Sequence, residues 1–476
     1  MTEQPHLFKK SLSLIDSTSI VAGSMIGSGI FIVSADMSRI LGSPGWLLVA
    51  WIITGLLTIA AALSYGELAS MMPKAGGQYV YLREAYNPLS GFLYGWTLFM
   101  VIQTGTIAAV GMAFAKFMGV LVPWFSEDRI LLDLVFFRFN SVQFLAIVSI
   151  AFLTWNNMRG ISAGKKVQNL FTGIKVVVLI GFIALGLIFA RNAEAISLNK
   201  AIFWHPVSIG GTPLVGWALI AALGTAMVGS LFSADAWNNI TFTAGEVKNP
   251  KKNIPLSLFL GTGLVIILYI LANIVYLQAL PLRGTLNAAT VFERGMQFAT
   301  NDRLGTAAMS GLVGELAALF MAGFIVISTF GCNNGLILSG ARVYYAMAKD
   351  GLFFKKVGLL NKNDVPANGL LIQGIWASVL CLTGRYGDLL NYVIFAVLIF
   401  YVLTIVGIFV LRRKRPDAER PYRAFGYPVV PALYVLTASV IMFILLIYRP
   451  DYTWPGLIIV ILGIPVFYIW KKYQKH

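Results

Sequence analysis

Gly23-Ser24-Met25-Ile26-Gly27-Ser28-Gly29 places three glycines and two serines in the middle of an apolar run from Leu12 to Ile40. Each glycine costs a helix about 1 kcal/mol relative to alanine, so the run is expected to unwind at its centre. A helix that restarts after such a gap presents free N–H groups, here at Gly27, Ser28 and Gly29, and the positive end of its dipole. Both suit a carboxylate. Carbonyls left at the end of the first half, near Met25, suit an ammonium. A second interruption, Gly229-Ser230-Leu231-Phe232-Ser233-Ala234-Asp235-Ala236-Trp237-Asn238-Asn239, is small and polar where an apolar helix should continue, and Phe232 offers a further carbonyl. Donors on one side and acceptors on the other fit a zwitterion, and an α-amino acid is the natural candidate.

The elements that must hold these groups are membrane spans. The chain has 476 residues, of which 58% are hydrophobic and 12% charged, against roughly 25% charged in soluble proteins. Apolar windows of bilayer length predict twelve spans at 13–41, 45–72, 88–121, 141–158, 167–190, 214–243, 255–281, 307–346, 368–384, 387–411, 429–448 and 454–470. The loops near 122–140, 191–213, 282–306 and 347–367 are expected to be connections or small helices. Open backbone at mid-membrane is tolerated only where it is buried in protein or lines a wet cavity. Glycines in one span could instead serve close helix packing. Two interruptions, in spans one and six, argue for a transporter whose site lies between discontinuous helices of two inverted halves. The predicted organisation is a single transporter domain, with repeats at 13–190 and 214–411 and two further helices at 429–470.

The net charge of +16 does not indicate nucleic acid, because the basic residues sit in short loops between apolar runs. With both termini cytoplasmic, that side holds roughly two dozen of the 36 basic residues, including the Arg412 to Arg423 cluster. This follows the positive-inside rule and predicts a multi-pass protein of the cell (plasma or inner) membrane. Lys9 and Lys10 precede a first span that is too long for a signal peptide and lacks a cleavage site, so it is expected to remain. Cys332 and Cys381 both fall within spans and read as buried free thiols. The three histidines, His6, His205 and His476, lie outside the spans. No clustered acid–base or metal set suggests an enzyme, and no cofactor or metal is expected. A channel would need rings of repeated polar motifs, and a receptor an appended signalling domain.

Lys175 lies near the middle of span five, ~13 Å from either end, too deep to snorkel easily. It needs carbonyl or hydroxyl partners inside the bundle.

Four motifs carry a resemblance that covers nearly the whole chain: Gly-Ser-Gly-Ile-Phe at 27–31; Tyr65-Gly66-Glu67-Leu68 with Pro73-Lys74-Ala75-Gly76-Gly77-Gln78-Tyr79 and Tyr81-Leu82-Arg83-Glu84-Ala85; Glu246-Val247-Lys248-Asn249-Pro250; and Ser339-Gly340-Ala341-Arg342 through Lys349-Asp350-Gly351. The chain resembles the amino acid–polyamine–organocation (APC) transporter superfamily, and within it the L-type amino acid transporters. The resemblance implies an all-α LeuT-type fold of five-plus-five inverted repeats with helices one and six discontinuous, working by alternating access. It assigns the substrate carboxylate to the amides of Gly27, Ser28 and Gly29, and the amine to carbonyls of Met25, Phe232 and Asp235. Ile26 and Ser233 complete the two unwound stretches as expected substrate-binding residues. Phe232 is implied as the lid that gates the site. Asn334 matches a family position near it, with the hydroxyls of Ser328 and Thr329 close by.

The resemblance also places the Lys175 amine where sodium-coupled relatives bind sodium, bridging spans one and eight. That implies a coupling role and sodium-independent transport. At 234–236 the chain departs from relatives that have small residues or glycine before the tryptophan. Asp235 is an ionisable group at mid-membrane and therefore a functional candidate. It either prefers a cationic or polar substrate side chain, titrates during transport, or caps the unwound ends. Glu67 and Glu315 read as structural. Related eukaryotic light chains join a heavy chain through a cysteine in the loop after span three. Residues 122–140 contain none, so no disulfide-linked partner is expected. The expected activity is sodium-independent amino acid exchange, with proton-coupled symport as the alternative.

Overall fold

A computed structural model describes residues 10–134, 137–189, 191–383 and 386–473. Nine helices among them are long and apolar enough to cross a bilayer. Three shorter apolar helices, Ser141–Asn157, Trp217–Ser233 and Ala367–Thr383, occupy the predicted fourth, sixth and ninth positions. Both predicted interruptions are present. Span one is Leu14–Met25, a single turn at Gly29–Phe31, then Val33–Leu41. Span six is Trp217–Ser233, followed after a gap by the short helix Asn239–Phe242 and a turn at Ala244–Glu246.

Local sequence sets the helix starts. Ser13 and Asp16 form a reciprocal capping box that opens span one, satisfying two backbone donors that a helix start would leave unpaired. Asn87 caps span three, Pro88–Leu121, whose first proline gives up no needed N–H. That span widens to a π-turn at Leu98–Ile102.

The remaining spans are Pro44–Met71, Ile161–Ala184, Pro250–Ala279, Glu315–Lys349, Tyr386–Lys414, Val429–Tyr448 and Pro450–Tyr473. Span two packs along seven, three along eight, and four along nine. Each of these contacts joins like positions of the two predicted halves.

Two predicted boundaries need correction. The span expected at 307–346 is two helices, Leu304–Val313 and Glu315–Lys349, divided at Gly314, whose φ is 107°. Ten residues rise only ~15 Å, too short to cross, so the helix long enough to span begins at Glu315. The joint is tied by Ser310 Oγ donating to Glu315 Oε1 at 2.6 Å. In the loop 122–140 the structure has a β-hairpin, Ile130–Leu134 against Phe137–Asn140, with Asp133 opposite Arg138. Its two strands, of five and four residues, are too short for a window tuned to spans.

One face of the bundle carries the start of span one, the Gln78–Ala85 helix and the Arg412 to Arg423 segment; it is called the basic side below. Here the family motifs converge. Leu12 pairs with Val247 as an isolated bridge, and Gly76 N–H donates to Phe242 O at 3.1 Å. Glu246 and Arg342, both fully buried, pair at 3.1 Å. Asp350 accepts from Tyr79 Oη at 2.7 Å and pairs with Arg83. Glu67 takes Arg412 at 2.7 Å and Arg420 at 3.3 Å, and accepts from the Ala424 amide. Glu67 and Glu315 therefore hold structural contacts. On the opposite side, Arg39 of span one reaches Asp302 at 2.6 Å and Gln297 O at 2.8 Å. Polar contacts thus tie the helices together on both sides of the centre.

Candidate functional site

The two breaks meet at mid-bundle. A Cβ on Gly29 would lie 2.1 Å from Ser233 Oγ and 2.9 Å from Ser233 Cα, and one on Gly229 would lie 2.9 Å from Val33 Cβ. Only glycine lets these backbones approach so closely. Around the contact lies a small cavity, of about 20 Å³, lined by Met25, Gly27, Ser28, Gly29, Phe232, Ser233 and Asp235. Seven sequence-predicted residues are thereby brought together. Ser28, Phe232 and Asp235 are 1%, 7% and 8% exposed, so the cavity is buried.

Two predicted residues stand elsewhere. Asn334 is fully buried against span four, where its Oδ1 accepts from Asn157 Nδ2 at 2.8 Å. Ile26 turns its side chain into the core, while its carbonyl accepts from Ser328 Oγ at 3.3 Å. The lining also includes Ser24, Thr106, Val110 and Cys332. Thr106 and Val110 come from span three, which carries no break, so no local signal marks them. Cys332 was read only as a buried thiol. It is free and buried, as is Cys381.

The end of the first half-helix shows how the chain tolerates its break. The last carbonyls of a helix lack intrahelical partners. Here four consecutive ones are satisfied by side chains of other spans. Gly23 O accepts from Lys175 Nζ at 2.9 Å, Ser24 O from Cys332 Sγ at 3.1 Å, Met25 O from Tyr269 Oη at 2.8 Å, and Ile26 O from Ser328 Oγ. Spans five, seven and eight each contribute. Lys175, 0% exposed, has thus found the carbonyl partner that its depth demands. Met25 O also accepts from Gly27 N–H at 2.8 Å. In this structure, then, neither the Met25 carbonyl nor the Gly27 amide is open in the way the sequence suggests.

The half-helix is further laced to span five. Asn169 Nδ2 donates to Asp16 Oδ1 at 2.7 Å and Thr172 Oγ1 to Ser19 O at 3.2 Å. A Cβ on Gly23 would sit 2.1 Å from Thr172 Oγ1, so glycine is needed here for approach as well as for unwinding.

The second break has its own geometry. Phe232 O accepts from Asp235 N–H at 3.2 Å, and Asp235 Oδ1 accepts from Tyr401 Oη of span ten at 2.6 Å. Ala236 has φ 65°, the left-handed region normally left to glycine. The backbone reverses there and throws Trp237 against Tyr65 and Tyr401, at 4.8 and 5.2 Å between ring centroids.

A family model described as amino acid permease matches residues 12–467. The chain belongs to the amino acid permease family. Human b(0,+)-type amino acid transporter 1 is 28% identical to this permease over 472 residues, covering 98% of this chain and 89% of that one. The human large neutral amino acids transporter small subunit 2 is 28% identical over 471 residues, covering 98% and 81%. The mouse Asc-type amino acid transporter 1 is 27% identical over 474 residues, covering 98% and 83%. These relatives are L-type transporters, and the resemblance read from the motifs holds over nearly the full length. The permease is a multi-pass amino acid transport protein and not an enzyme.

Proposed function

We propose that this permease carries amino acids across the cell membrane by sodium-independent alternating access, exchanging one amino acid for another. The observation that carries the reading is the meeting of two helix breaks around one buried cavity. Ser28 and Gly29 lie on one wall, with Phe232 and Asp235 on the other. Opening toward either side would free Gly27 N–H and Met25 O from each other, completing the donor set for a carboxylate and an acceptor for an ammonium. Phe232 closes over the substrate, and Asp235 faces its side chain.

Sodium independence rests on Lys175. Its ammonium bonds Gly23 O at the carbonyl-rich end of the first half-helix, the negative end of a helix dipole, which favours a cation. A tethered ammonium there occupies the place of a mobile one. The excess of basic residues on the side of Leu14 and Arg412 supports cytoplasmic termini. With no cysteine in 122–140 and both thiols buried, we infer that the chain works without a disulfide-linked partner.

One observation favours the second reading, proton-coupled symport. An ammonium has three donors, and among the described residues Lys175 has one hydrogen bond, to Gly23 O. The deciding experiment is uptake of labelled amino acid into proteoliposomes that are empty or preloaded with amino acid. Exchange requires the internal substrate and ignores sodium and proton gradients. Strong uptake into empty vesicles driven by a proton gradient would replace exchange by symport, and no uptake under any condition would remove the transport reading.

A further inference from the structure

A pocket of about 510 Å³ opens on the surface where span five ends, lined by Phe189, Arg191, Asn192, Glu194, Gly311 and Leu312. That volume falls in the ~300–1,000 Å³ range of ordinary ligand pockets. Span seven begins on the basic side, where Lys248 N–H donates to Leu12 O at 2.8 Å. It ends beside this pocket, where Gln278 O accepts from Asn192 N–H at 3.2 Å. The pocket therefore lies on the side of the bundle opposite the basic one, between the end of span five and the Leu304–Val313 helix that precedes span eight.

Arg191 and Glu194 bring opposite charges to this one pocket, and among the described residues neither forms an ion pair. Arg191 Nε and Nη2 both donate to Leu187 O in the last turn of span five, the first at 2.8 Å. A guanidinium has five N–H donors, so three remain. The Glu194 carboxylate makes no hydrogen bond among the described residues; its backbone N–H donates to Asn192 Oδ1 at 3.1 Å. The remaining guanidinium donors fit a phosphate, and the free carboxylate fits an ammonium. On the span side of these charges the surface is apolar. Phe189 on span five, with Leu316 and Phe320 just past the Gly314 joint, are 79%, 71% and 74% exposed. A phosphate, an ammonium and hydrocarbon chains together describe a phospholipid with an ethanolamine headgroup. A soluble zwitterion would leave the apolar edge unused, and a choline headgroup has no N–H to give Glu194.

We propose that this pocket binds a phosphatidylethanolamine from the leaflet opposite the basic side. Arg191 takes the phosphate, Glu194 takes the ammonium, and the chains run along Phe189, Leu316 and Phe320. The lipid bridges the end of span five and the helix ahead of span eight. Those two spans supply Lys175, Ser328 and Cys332, which hold the carbonyls of the first break. A ligand that binds only the folded chain stabilises it, so the bound lipid raises the stability of this part of the bundle. Neither Arg191 nor Glu194 lines the central cavity, so the lipid site stands whatever that cavity carries.

The test is native mass spectrometry of the purified, delipidated full-length protein with equal amounts of dioleoylphosphatidylethanolamine and dioleoylphosphatidylcholine. Wild type should retain one phosphatidylethanolamine about tenfold in preference to phosphatidylcholine, the worth of one charged hydrogen bond. Glu194→Gln should abolish that preference, and Arg191→Gln should weaken retention of both lipids about tenfold. Added phosphatidylethanolamine should raise the unfolding temperature of wild type more than that of Arg191→Gln. The Glu194 carboxylate holds no bond among the described residues, so Glu194→Gln keeps the fold and decides the matter alone if Arg191→Gln fails to fold. Equal retention of the two lipids by wild type, no retained lipid, or a preference that survives Glu194→Gln would overturn the proposal. Displacement of the lipid by an equal concentration of glycerophosphoethanolamine, the headgroup without its chains, would also overturn it and assign the pocket to a soluble ligand.

Discussion

Replacing Gly29 by alanine tests whether the two helix breaks touch, on which the whole site depends. The new Cβ would lie 2.1 Å from Ser233 Oγ, 2.8 Å from Ser233 Cβ and 2.9 Å from Ser233 Cα. Ser233 cannot simply swing away, because its hydroxyl donates to Gly229 O at 2.9 Å and its neighbours are buried. Overpacking of this kind costs about 1–3 kcal/mol, here borne by separation of the half-helices that frame the cavity. Removing the partner side chain with Ser233→Gly relieves the two shortest contacts but leaves the 2.9 Å approach to Cα. The double variant should therefore recover part of the loss, with a coupling energy of about 1 kcal/mol within the usual range for residues in contact. The assays are thermal unfolding of the purified protein and exchange in preloaded proteoliposomes. Gly29→Ala alone should lower the unfolding temperature and reduce exchange at least about tenfold, since each 1.4 kcal/mol is tenfold in an equilibrium. Strictly additive effects of the two substitutions would refute the contact between the breaks.

Lys175→Ala leaves Gly23 O buried without its donor, a loss of about 1–3 kcal/mol; stability and exchange should both fall, and unchanged transport would sink the coupling role. Asp235→Asn keeps an acceptor for Tyr401 Oη but removes the charge, so L-arginine exchange should fall about tenfold relative to L-leucine; equal effects on the two would refute a side-chain role. Ala236→Gly removes a left-handed alanine that costs about 1 kcal/mol or more, so stability should hold or rise by up to that amount, and a clear loss would show that the turn is not strained. Outside the membrane, the hydrogen bond from Arg415 holds the Glu84 carboxyl below its usual range against partial burial, with Arg83 assisting. A lowered carboxylate contributes stability above its ordinary range and loses it as pH falls through the lowered value. The stability difference between wild type and Glu84→Gln should therefore be flat near neutrality and close only in acid, and a difference that changes around neutral pH would contradict this.

Sequence alone determined the class of molecule, because the bilayer imposes a length and a polarity that any span must meet. It also located both breaks: glycine and small polar residues inside an apolar helix are a local signal, and Gly27, Ser28, Gly29, Phe232, Ser233 and Asp235 follow from it directly. Lys175 was legible for the same reason, as a charge too deep to lack a partner, and it bonds Gly23 O. Where composition was averaged over a long window, the reading failed. Gly314 at positive φ divides an apolar stretch that looks continuous, and the Ile130–Asn140 hairpin is too short to register. What only the tertiary structure decided is which groups from unbroken helices reach the site. Thr106, Cys332, Tyr269 and Tyr401 lie on spans three, eight, seven and ten, and nothing in their immediate sequence distinguishes them from neighbours that face lipid or core. Their roles depend on the rotation and register of one helix against another. Those are set by contacts between residues far apart in the chain, such as Gly29 with Ser233 and Gly23 with Thr172.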